Sequence, residues 1–314
     1  MKCLIAVVGP TAIGKTKFAT HLAQDFNGEI VNADSRQIYR FMDIGTAKPA
    51  KIDRALVPYH LIDIVNPDEP FSLALFKQLA NKAIEDIHNR GKLPFLIGGS
   101  GLYVWSVIEG WQIPEVPPNI DFRQRLENIA NEKGVLSLFE DLKKIDPLSS
   151  MSIMPTNLRR IIRALEIYNA TGKPPSSFRN KKSPPFLVKV IGLTTERQRL
   201  YCMIDSRIDR MISEGLTNEV QELIARGYSL NLPAMTGIGY RQIGLFLQNE
   251  ISLTEAIQKI KYETHQFARR QYTWFPLNDT RIHWFDVYDT IQEPITNLVK
   301  NFINSNYRDI RNGC

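Results

Sequence analysis

Residues 9–16 read Gly-Pro-Thr-Ala-Ile-Gly-Lys-Thr and follow directly on the apolar run Leu-Ile-Ala-Val-Val at 4–8. The octapeptide fits the pattern G-x-x-x-x-G-K-[ST], in which backbone N–H groups surround phosphate oxygens and the lysine adds a positive charge. The helix-like stretch 17–23 comes next, and a helix that begins here would direct its positive end at the same phosphate. The sequence therefore predicts a strand, a phosphate-binding loop and a helix, and a chain that binds a di- or triphosphate.

The overall composition is that of an ordinary globular protein. Of the 314 residues, 43% are hydrophobic and 23% are charged. No apolar run approaches the roughly 20 residues that a membrane span requires, so we expect no membrane association. The run at 4–8 leads into the phosphate loop, and we interpret it as a buried strand and not as a signal peptide, which predicts a cytoplasmic protein. The net charge of +6 is compatible with a polyanionic partner.

Cysteine and histidine do not form the pattern of a metal site or a disulfide framework. Cys3, Cys202 and Cys314 are far apart and lack a C-x-x-C pair, and the five histidines lack the H-E-x-x-H spacing. Scattered cysteines are typical of a reducing compartment. We therefore expect no transition metal held by the protein.

Strand-like and helix-like segments alternate along the first hundred residues. Alternation of this kind predicts an α/β fold with a parallel sheet, and ligands of such sheets bind at the carboxyl ends of the strands. The predicted strands are 4–8, 30–32, 93–97, 186–193 and 281–285, and the predicted helices include 15–24 and 73–89.

Two proline-rich joints, at 113–118 and 172–185, flank a segment with helical periodicity. We predict a P-loop NTPase-like parallel sheet that carries a helical insertion domain and a mostly helical C-terminal part. The predicted catalytic core comprises residues 1–118 and 185–314, and the predicted insertion domain comprises residues 119–184.

Two of the predicted strands end in residues that could serve a reaction. Asp34 follows the second strand, beside the phosphate loop, where a base would be useful; it could equally close an Asx turn or cap a helix. The strand 93–97 ends in Gly98-Gly99-Ser100-Gly101 and lacks the carboxylate with which many P-loop NTPases support Mg²⁺. These glycines could offer backbone donors to a phosphate, or they could simply form a tight turn.

Arginine clusters follow in the second half of the chain. Helical spacing places Arg160 and Arg163 on one face, where they could clamp a phosphate, although a solvated helix face is an equal alternative. A second cluster contains Arg207 and Arg210. The segment 266–275 mixes arginine with aromatic residues, which suits nucleic-acid contact, although the aromatics could equally belong to the core.

Nine segments together carry a resemblance to a known family. They are 9–16, 34–39 (Asp-Ser-Arg-Gln-Ile-Tyr), 45–49, 57–63, 98–103, 160–166, 171–174, 237–242 (Gly-Ile-Gly-Tyr-Arg-Gln) and 268–274. In this order they resemble the tRNA dimethylallyltransferase family, the isopentenyl transferases that modify the adenine immediately 3′ of the anticodon. The zinc finger of eukaryotic relatives has no counterpart here, so the resemblance is to the bacterial type. Ser100 stands where a threonine is usual, and His265 where an arginine is usual.

The resemblance implies transfer of a dimethylallyl group from dimethylallyl diphosphate to the N6 amine of that adenine, with release of pyrophosphate. Asp34 would be the general base, and Lys15, Thr16, Ser100 and Arg207 would complete the catalytic set. Mg²⁺ would be held at Thr16. The diphosphate would be bound by the loop residues Gly9, Pro10, Thr11, Ala12, Ile13, Gly14, Lys15 and Thr16.

The resemblance also implies that the partner is a tRNA anticodon stem-loop, and we expect the protein to be a monomer. The implied contacts come from Asp34, Ser35, Arg36 and Gln37, from Ser100, from Arg123, Arg159, Arg160 and Arg163, and from Thr236, Gly237, Gly239, Tyr240 and Arg241. The choice of Arg207 over Arg210 for the diphosphate rests on the family alone, since both occupy one predicted helix three residues apart.

Three other functions are compatible with parts of the sequence. A nucleotide kinase would use the same loop and an insertion as a lid, but the missing strand-end carboxylate disfavours it. An adenylate isopentenyltransferase would share the core but prenylate a free nucleotide. A non-catalytic RNA-binding module would not need Asp34 beside an intact phosphate loop.

Overall fold

The computed structural model describes residues 2–308, and its centre is a sheet of six parallel strands. The order across the sheet is β3-β2-β4-β1-β5-β6, which places the strand before the phosphate loop among the inner strands. The mixed α/β fold with a parallel sheet is thereby confirmed. The strands are β1 Cys3–Val8, β2 Gly28–Asn32, β3 Tyr59–His60, β4 Leu93–Ile97, β5 Leu187–Thr194 and β6 Ile282–Asp286.

Strand β1 is buried along its whole length, as its unbroken apolar sequence predicts. It pairs with β4 on one side, where Val7 is in register with Ile97, and with β5 on the other, where Val7 is in register with Ile191. The phosphate loop therefore leaves from the carboxyl edge of the sheet, between the ends of two neighbouring strands.

Helices connect the strands and form the C-terminal part. The helix α3 spans 73–89 as predicted. The helices are α1 Lys15–Asp25, α2 Lys51–Leu56, α3 Leu73–Asn89, α4 Gly101–Ile108, α5 Ile120–Lys133, α6 Val135–Ile145, α7 Pro147–Ser150, α8 Leu158–Thr171, α9 Arg197–Ser213, α10 Leu216–Ala225, α11 Tyr240–Leu247, α12 Leu253–Trp274 and α13 Gln292–Arg308, with a 3₁₀ turn at Pro175–Phe178.

The chain divides into two compact units. The first contains the sheet and comprises Met1–Ser72, Phe76–Ile108 and Pro184–Cys314; the second comprises Leu73–Leu75 and Glu109–Ser183. The second unit has a small core of its own, in which α5, α6 and α8 contribute Leu126, Leu138, Leu142, Ile161 and Leu165. Asn119 and Asn157 cap α5 and α8 by accepting hydrogen bonds from backbone N–H groups of the first turn.

Helix α12 is the longest in the first unit, with 22 residues. A capping box of Ser252 and Glu255 starts it. Its buried residues follow a helical period and end at Gln271, whose side chain therefore lies on the face that packs on the core. Between residues 2 and 308, no helix combines the length and the apolar character that crossing a bilayer demands.

Candidate functional site

The phosphate loop has the backbone of an anion site. Gly14 is the N-cap of α1 with φ 88°, a left-handed conformation that suits glycine, and no side chain caps the helix. Ala12 also has a positive φ of 67°. The alternation of backbone conformations turns successive N–H groups inward, and the uncapped first turn of α1 leaves its N–H groups available. An oxyanion is the ligand that such a loop favours.

Lys15 projects from the first residue of α1 back over the loop. Its Nζ donates to the carbonyl oxygen of Pro10 at 2.7 Å. Burial lowers the pKa of Lys15 to about 8; the carboxylate of Asp34 opposes the shift and the charge of Arg207 adds to it. Lys15 is therefore charged at neutral pH but easily neutralised, and a bound anion would stabilise its charged form.

Arg207 reaches the same loop from α9. Its Nη2 donates to Thr11 Oγ1 at 2.9 Å, while its Nε is buried and has no hydrogen-bond partner within residues 2–308. Burial lowers the pKa of Arg207 to about 10, against the attraction of Asp34, so the guanidinium stays charged at neutral pH. Arg210 is exposed and lies 3.7 Å from Glu214. Of these two arginines, Arg207 contacts the loop.

Asp34 closes an Asx turn and also belongs to the charged cluster. Its Oδ1 accepts from the backbone N–H of Arg36 at 2.9 Å, which was one of the alternatives left open by the sequence. Its charge acts on both Lys15 and Arg207. The turn engages one carboxylate oxygen and leaves a partly exposed carboxylate beside two cations.

The loop after β4 approaches Asp34 through a pair of serines. Ser100 Oγ accepts from the backbone N–H of Ser35 at 3.2 Å and lies 3.3 Å from Ser35 Oγ. Close packing accounts for two of the glycines in this loop, since a methyl group on Gly99 would collide with Gln271 and one on Gly101 with Trp274. This loop therefore places the Ser100 hydroxyl against Ser35, the residue that follows Asp34.

Several predicted tRNA contacts in the first unit have partners within the protein. Arg36 Nη1 donates to the carbonyl oxygens of Pro233 and Ala234 at 2.7 and 3.2 Å. Gln37 is buried, and its Nε2 donates to the carbonyl oxygens of Thr46 and Ala47. These two side chains therefore brace the loops around Asp34.

The segment 236–241 is mixed in exposure. Thr236 is exposed, and Gly237 lies beside the guanidinium of Arg36. Gly239 is the N-cap of α11, and its N–H donates to Gln242. Arg241 is exposed and pairs with Glu263 at 2.6 Å. In this segment the exposed groups are the ones that a nucleic acid could reach.

Tyr240 is 1% exposed and is linked through Glu219 to the loop at residues 43–45. Its hydroxyl donates to Glu219 Oε1 at 2.6 Å. The same carboxylate accepts from the backbone N–H groups of Asp43, Ile44 and Gly45 at 2.8, 2.7 and 3.0 Å. Sequence reasoning missed Glu219, because nothing in the pattern around it indicates that its partners lie some 175 residues earlier.

The second unit contains an ion-pair cluster around Glu166, whose side chain is 2% exposed. Arg123 donates to both carboxylate oxygens at 2.8 Å, and Arg163 Nη1 to one at 2.5 Å. Burial opposes ionisation, but hydrogen bonds from Arg123, Asn119 and Arg163 outweigh it and hold the pKa of Glu166 at about 2. The guanidinium of Arg163 is thereby engaged and does not form a free clamp with Arg160.

Arg159 and Arg160 are the exposed members of the arginine cluster on α8. Neither side chain has a hydrogen bond or ion pair to another residue in the described part of the chain. They present two positive charges to solvent at the start of the helix.

Of the aromatic residues in the segment 266–275, Tyr272 and Phe275 pack in the core, whereas Phe267 is exposed, so the two alternatives that the sequence left open each hold for part of the segment. Phe275 is buried, the hydroxyl of Tyr272 lies 2.9 Å from Thr194 Oγ1, and Trp105 Nε1 donates to the carbonyl oxygen of Trp274 at 2.8 Å. His265 stacks on Tyr201 with ring centroids 4.0 Å apart. Gln271, which packs beside them, contacts both loops of the site.

A divalent cation fits the phosphate loop only together with a phosphate ligand. No group of three or more His, Cys, Asp or Glu side chains that could hold a metal occurs within residues 2–308. The Thr16 hydroxyl is partly exposed and makes no side-chain hydrogen bond in that range. A hydroxyl plus diphosphate oxygens is a donor set that Mg²⁺ accepts.

Comparison with known proteins gives one consistent family. The model of the IPP transferase family matches residues 37–278. A tRNA dimethylallyltransferase of Roseiflexus sp. is 55% identical over 272 residues, which is 87% of this chain and 89% of that protein. The crystal structure of the tRNA isopentenylpyrophosphate transferase of Bacillus halodurans is 41% identical, covers 99% of this chain and 100% of its own, and superimposes with a TM-score of 0.73.

A third similarity extends to a complex with nucleic acid. A eukaryotic dimethylallyltransferase, whose structures were determined while acting on tRNA, is 28% identical with a TM-score of 0.83 and covers 98% of this chain and 80% of its own. The family match spans well over half of the residues; Ser100, Arg207 and Gln271 lie within it, whereas the phosphate loop 9–16 and Asp34 lie before it. The chain belongs to the IPP transferase family.

Proposed function

We propose that the protein transfers a dimethylallyl group from dimethylallyl diphosphate to the N6 amine of the adenine 3′-adjacent to the anticodon in tRNA, and releases pyrophosphate. The observation that supports this proposal most directly is the cluster of Lys15, Arg207 and Asp34 at the phosphate loop. Two cations suit a departing diphosphate, and an adjacent carboxylate suits removal of a proton from the attacking amine.

The donor would bind through its diphosphate. The Thr11 N–H is engaged by Gln271 and Pro10 has no N–H, so the N–H groups from Ala12 to Thr16 and the ammonium of Lys15 would hold the oxygens. The Nε of Arg207, which has no hydrogen-bond partner within residues 2–308, offers one further donor. Thr16 would hold Mg²⁺ together with the diphosphate. When bound, Mg²⁺ supplies positive charge at the departing group. Lys15 and Arg207 would lower the barrier to breaking the allylic C–O bond, because negative charge develops on the diphosphate as it leaves.

The acceptor would lie on the side of Asp34. The exocyclic amine of adenine is a weak nucleophile because its lone pair is delocalised into the ring, so its attack needs a base. Asp34 is held by its hydrogen bond from the Arg36 N–H, which fixes the direction of the carboxylate. The hydroxyl of Ser35, the residue after Asp34, and the Ser100 hydroxyl that contacts it could form hydrogen bonds to the target adenine or to its ribose.

The tRNA would be bound mainly through phosphates. Arg159 and Arg160 are exposed and unpaired within the described chain, and this supports a phosphate contact by the insertion unit. Thr236 and Arg241 are the exposed groups of their segment. The target adenine must leave its stack to reach Asp34. Contacts of these side chains with the tRNA backbone would offset the free energy of unstacking, which is a few kcal/mol. We further propose that the protein acts as a monomer in the cytoplasm.

The test is a product assay with defined acceptors. The protein is incubated with dimethylallyl diphosphate and Mg²⁺ and with tRNA, AMP or ATP, and the products are weighed by mass spectrometry. The proposal requires one isoprenoid unit on tRNA, at the adenine next to the anticodon after nuclease digestion. Prenylated AMP or ATP with unchanged tRNA would indicate an adenylate isopentenyltransferase. Phosphoryl transfer from ATP to a nucleotide would indicate a kinase.

A further inference from the structure

Gln271 joins the two loops of the site with a single amide group. Its Oε1 accepts from the backbone N–H of Thr11 at 2.7 Å, and its Nε2 donates to the carbonyl oxygen of Gly99 at 3.0 Å. The side chain is 4% exposed and belongs to the core face of α12. Both polar atoms are therefore satisfied, and both partners are loop backbone.

Each loop leads from Gln271 to one half of the proposed reaction. Thr11 lies in the phosphate loop, and its hydroxyl accepts from Arg207. Gly99 precedes Ser100, which is hydrogen-bonded to Ser35 beside Asp34. The amide of Gln271 thus links the loop where the diphosphate of the prenyl donor would bind to the loop beside which the target adenine would lie.

The packing leaves room for little except this amide. Gly99 has no side chain because the amide nitrogen of Gln271 occupies the space that a methyl group would need. An amide is a side chain that accepts from an N–H through one atom and donates to a carbonyl through the other. Asparagine has the same group but is one methylene shorter, so it cannot span both loops from the same helix position.

We propose that Gln271 is a positioning residue for prenyl transfer, which fixes the separation of the phosphate loop and the loop 98–101 and hence the distance between the prenyl carbon and the attacking amine. The inference rests on the proposed function. In-line attack needs reacting atoms about 3–3.5 Å apart, and a displacement of about 1 Å can lower the rate about 100-fold. Loss of the bridge lets the two loops relax separately while each still binds its own substrate.

The experiment compares Gln271→Leu and Gln271→Glu with wild type. Its matched control is Thr264→Val, which removes a buried hydrogen bond to Ile260 from the same helix but lies two turns away from the loops. We measure kcat, KM for dimethylallyl diphosphate, the Kd of tRNA and of pyrophosphate, and the unfolding midpoint. For Gln271→Leu we expect kcat to fall about 10–100-fold, with both dissociation constants within about threefold of wild type.

The pH dependence of kcat for Gln271→Glu distinguishes a hydrogen-bonding role from a packing role, because a side chain that only fills space would give no such dependence. A protonated carboxyl can accept from Thr11 and donate to Gly99, whereas a carboxylate cannot donate and repels the carbonyl oxygen. The ratio of kcat for Gln271→Glu to kcat for wild type should therefore rise as the pH falls.

Three results would overturn the inference. They are a flat pH ratio, a defect confined to the dissociation constants, and a loss of stability with wild-type kcat per folded molecule. If wild type itself transfers no prenyl group to tRNA, the proposed function fails first, and that outcome is distinct from an active wild type with indifferent Gln271 variants.

Discussion

Arg207 donates a hydrogen bond to the hydroxyl of Thr11 at 2.9 Å, although 196 positions separate the two residues in the chain. The phosphate loop itself contains one cation, Lys15, and α9 adds the second. The arrangement supplies two positive charges to a leaving diphosphate from two independent elements. The structure also shows that Arg207, and not Arg210, donates to the phosphate loop, a distinction that helical spacing alone could not make.

Arg207→Ala should therefore lower kcat/KM for prenyl transfer by about 100–1000-fold, because one donor to the developing charge is lost. Arg210→Ala serves as the matched control, since Arg210 is exposed and its ion-pair partner within residues 2–308 is Glu214, at 3.7 Å. The measurement is kcat/KM for prenyl transfer by both variants in steady-state kinetics. Equal losses in the two variants would remove Arg207 from the diphosphate site.

Asp34→Asn distinguishes a base from a turn residue. The amide oxygen of asparagine can still accept from the Arg36 N–H, so the Asx turn should survive, but an amide cannot take up a proton. We expect prenyl transfer to fall by about 100-fold or more while tRNA affinity stays within about tenfold. Single-turnover rates and filter binding measure the two quantities. Asp34→Asn with near-normal turnover and Asp34→Ala with low turnover would assign Asp34 to the turn alone.

The lowered pKa of Lys15 predicts a pH dependence of anion binding. With a pKa of about 8, Lys15 is charged below that pH and loses its charge as the pH rises through it. Pyrophosphate affinity should therefore be highest below pH 8 and should weaken by up to about tenfold per pH unit above it. Calorimetric titration from pH 6.5 to 9.5 tests this. Lys15→Met controls for titration of the ligand itself, and an identical slope in that variant would contradict the prediction.

Arg160→Ala should weaken tRNA binding through the loss of one phosphate contact. The slope of log K against log salt should become smaller by about 0.7–0.9. Lys143→Ala is a suitable control, since Lys143 is an exposed cation of the same unit that lies 3.8 Å from Glu140. The salt dependence of the Kd is the measurement. A slope that is unchanged in Arg160→Ala would exclude this side chain from the tRNA interface.

Glu166 should govern the acid stability of the insertion unit. Its pKa is about 2 in the folded unit, below the usual value of 4.5, so its stabilising effect is full above pH 4.5 and is lost as the pH falls toward 2. Glu166→Gln should lower the free energy of unfolding by about 1–3 kcal/mol at pH 7 and flatten this acid dependence. Hydrogen exchange of the α8 amides at several pH values measures the free energy of unfolding and its pH dependence. Unaltered protection of α8 in the variant would show that the ion pairs contribute nothing net.

The sequence predicted the long elements well, because their apolar periods reflect a local pattern. The strand before the phosphate loop and the helix at 73–89 are examples. It could not predict how polar side chains are used at long range. Arg163 and Tyr240 match the family motif, yet one is bound to Glu166 and the other is buried against Glu219. Whether a charged or polar residue faces solvent or a protein partner depends on tertiary packing, which no spacing of residues along the chain encodes.

The register of β1 has a consequence for synthesis of the chain on the ribosome. Val7 pairs with Ile97 on one side but with Ile191 on the other, so the strand before the phosphate loop lacks one neighbour until β5 has emerged. At a synthesis rate of about 5–20 residues per second, β5 emerges roughly 10–40 seconds after β1. Throughout that time an apolar strand presents an unpaired edge, at which the nascent chain is open to pairing with strands of other chains.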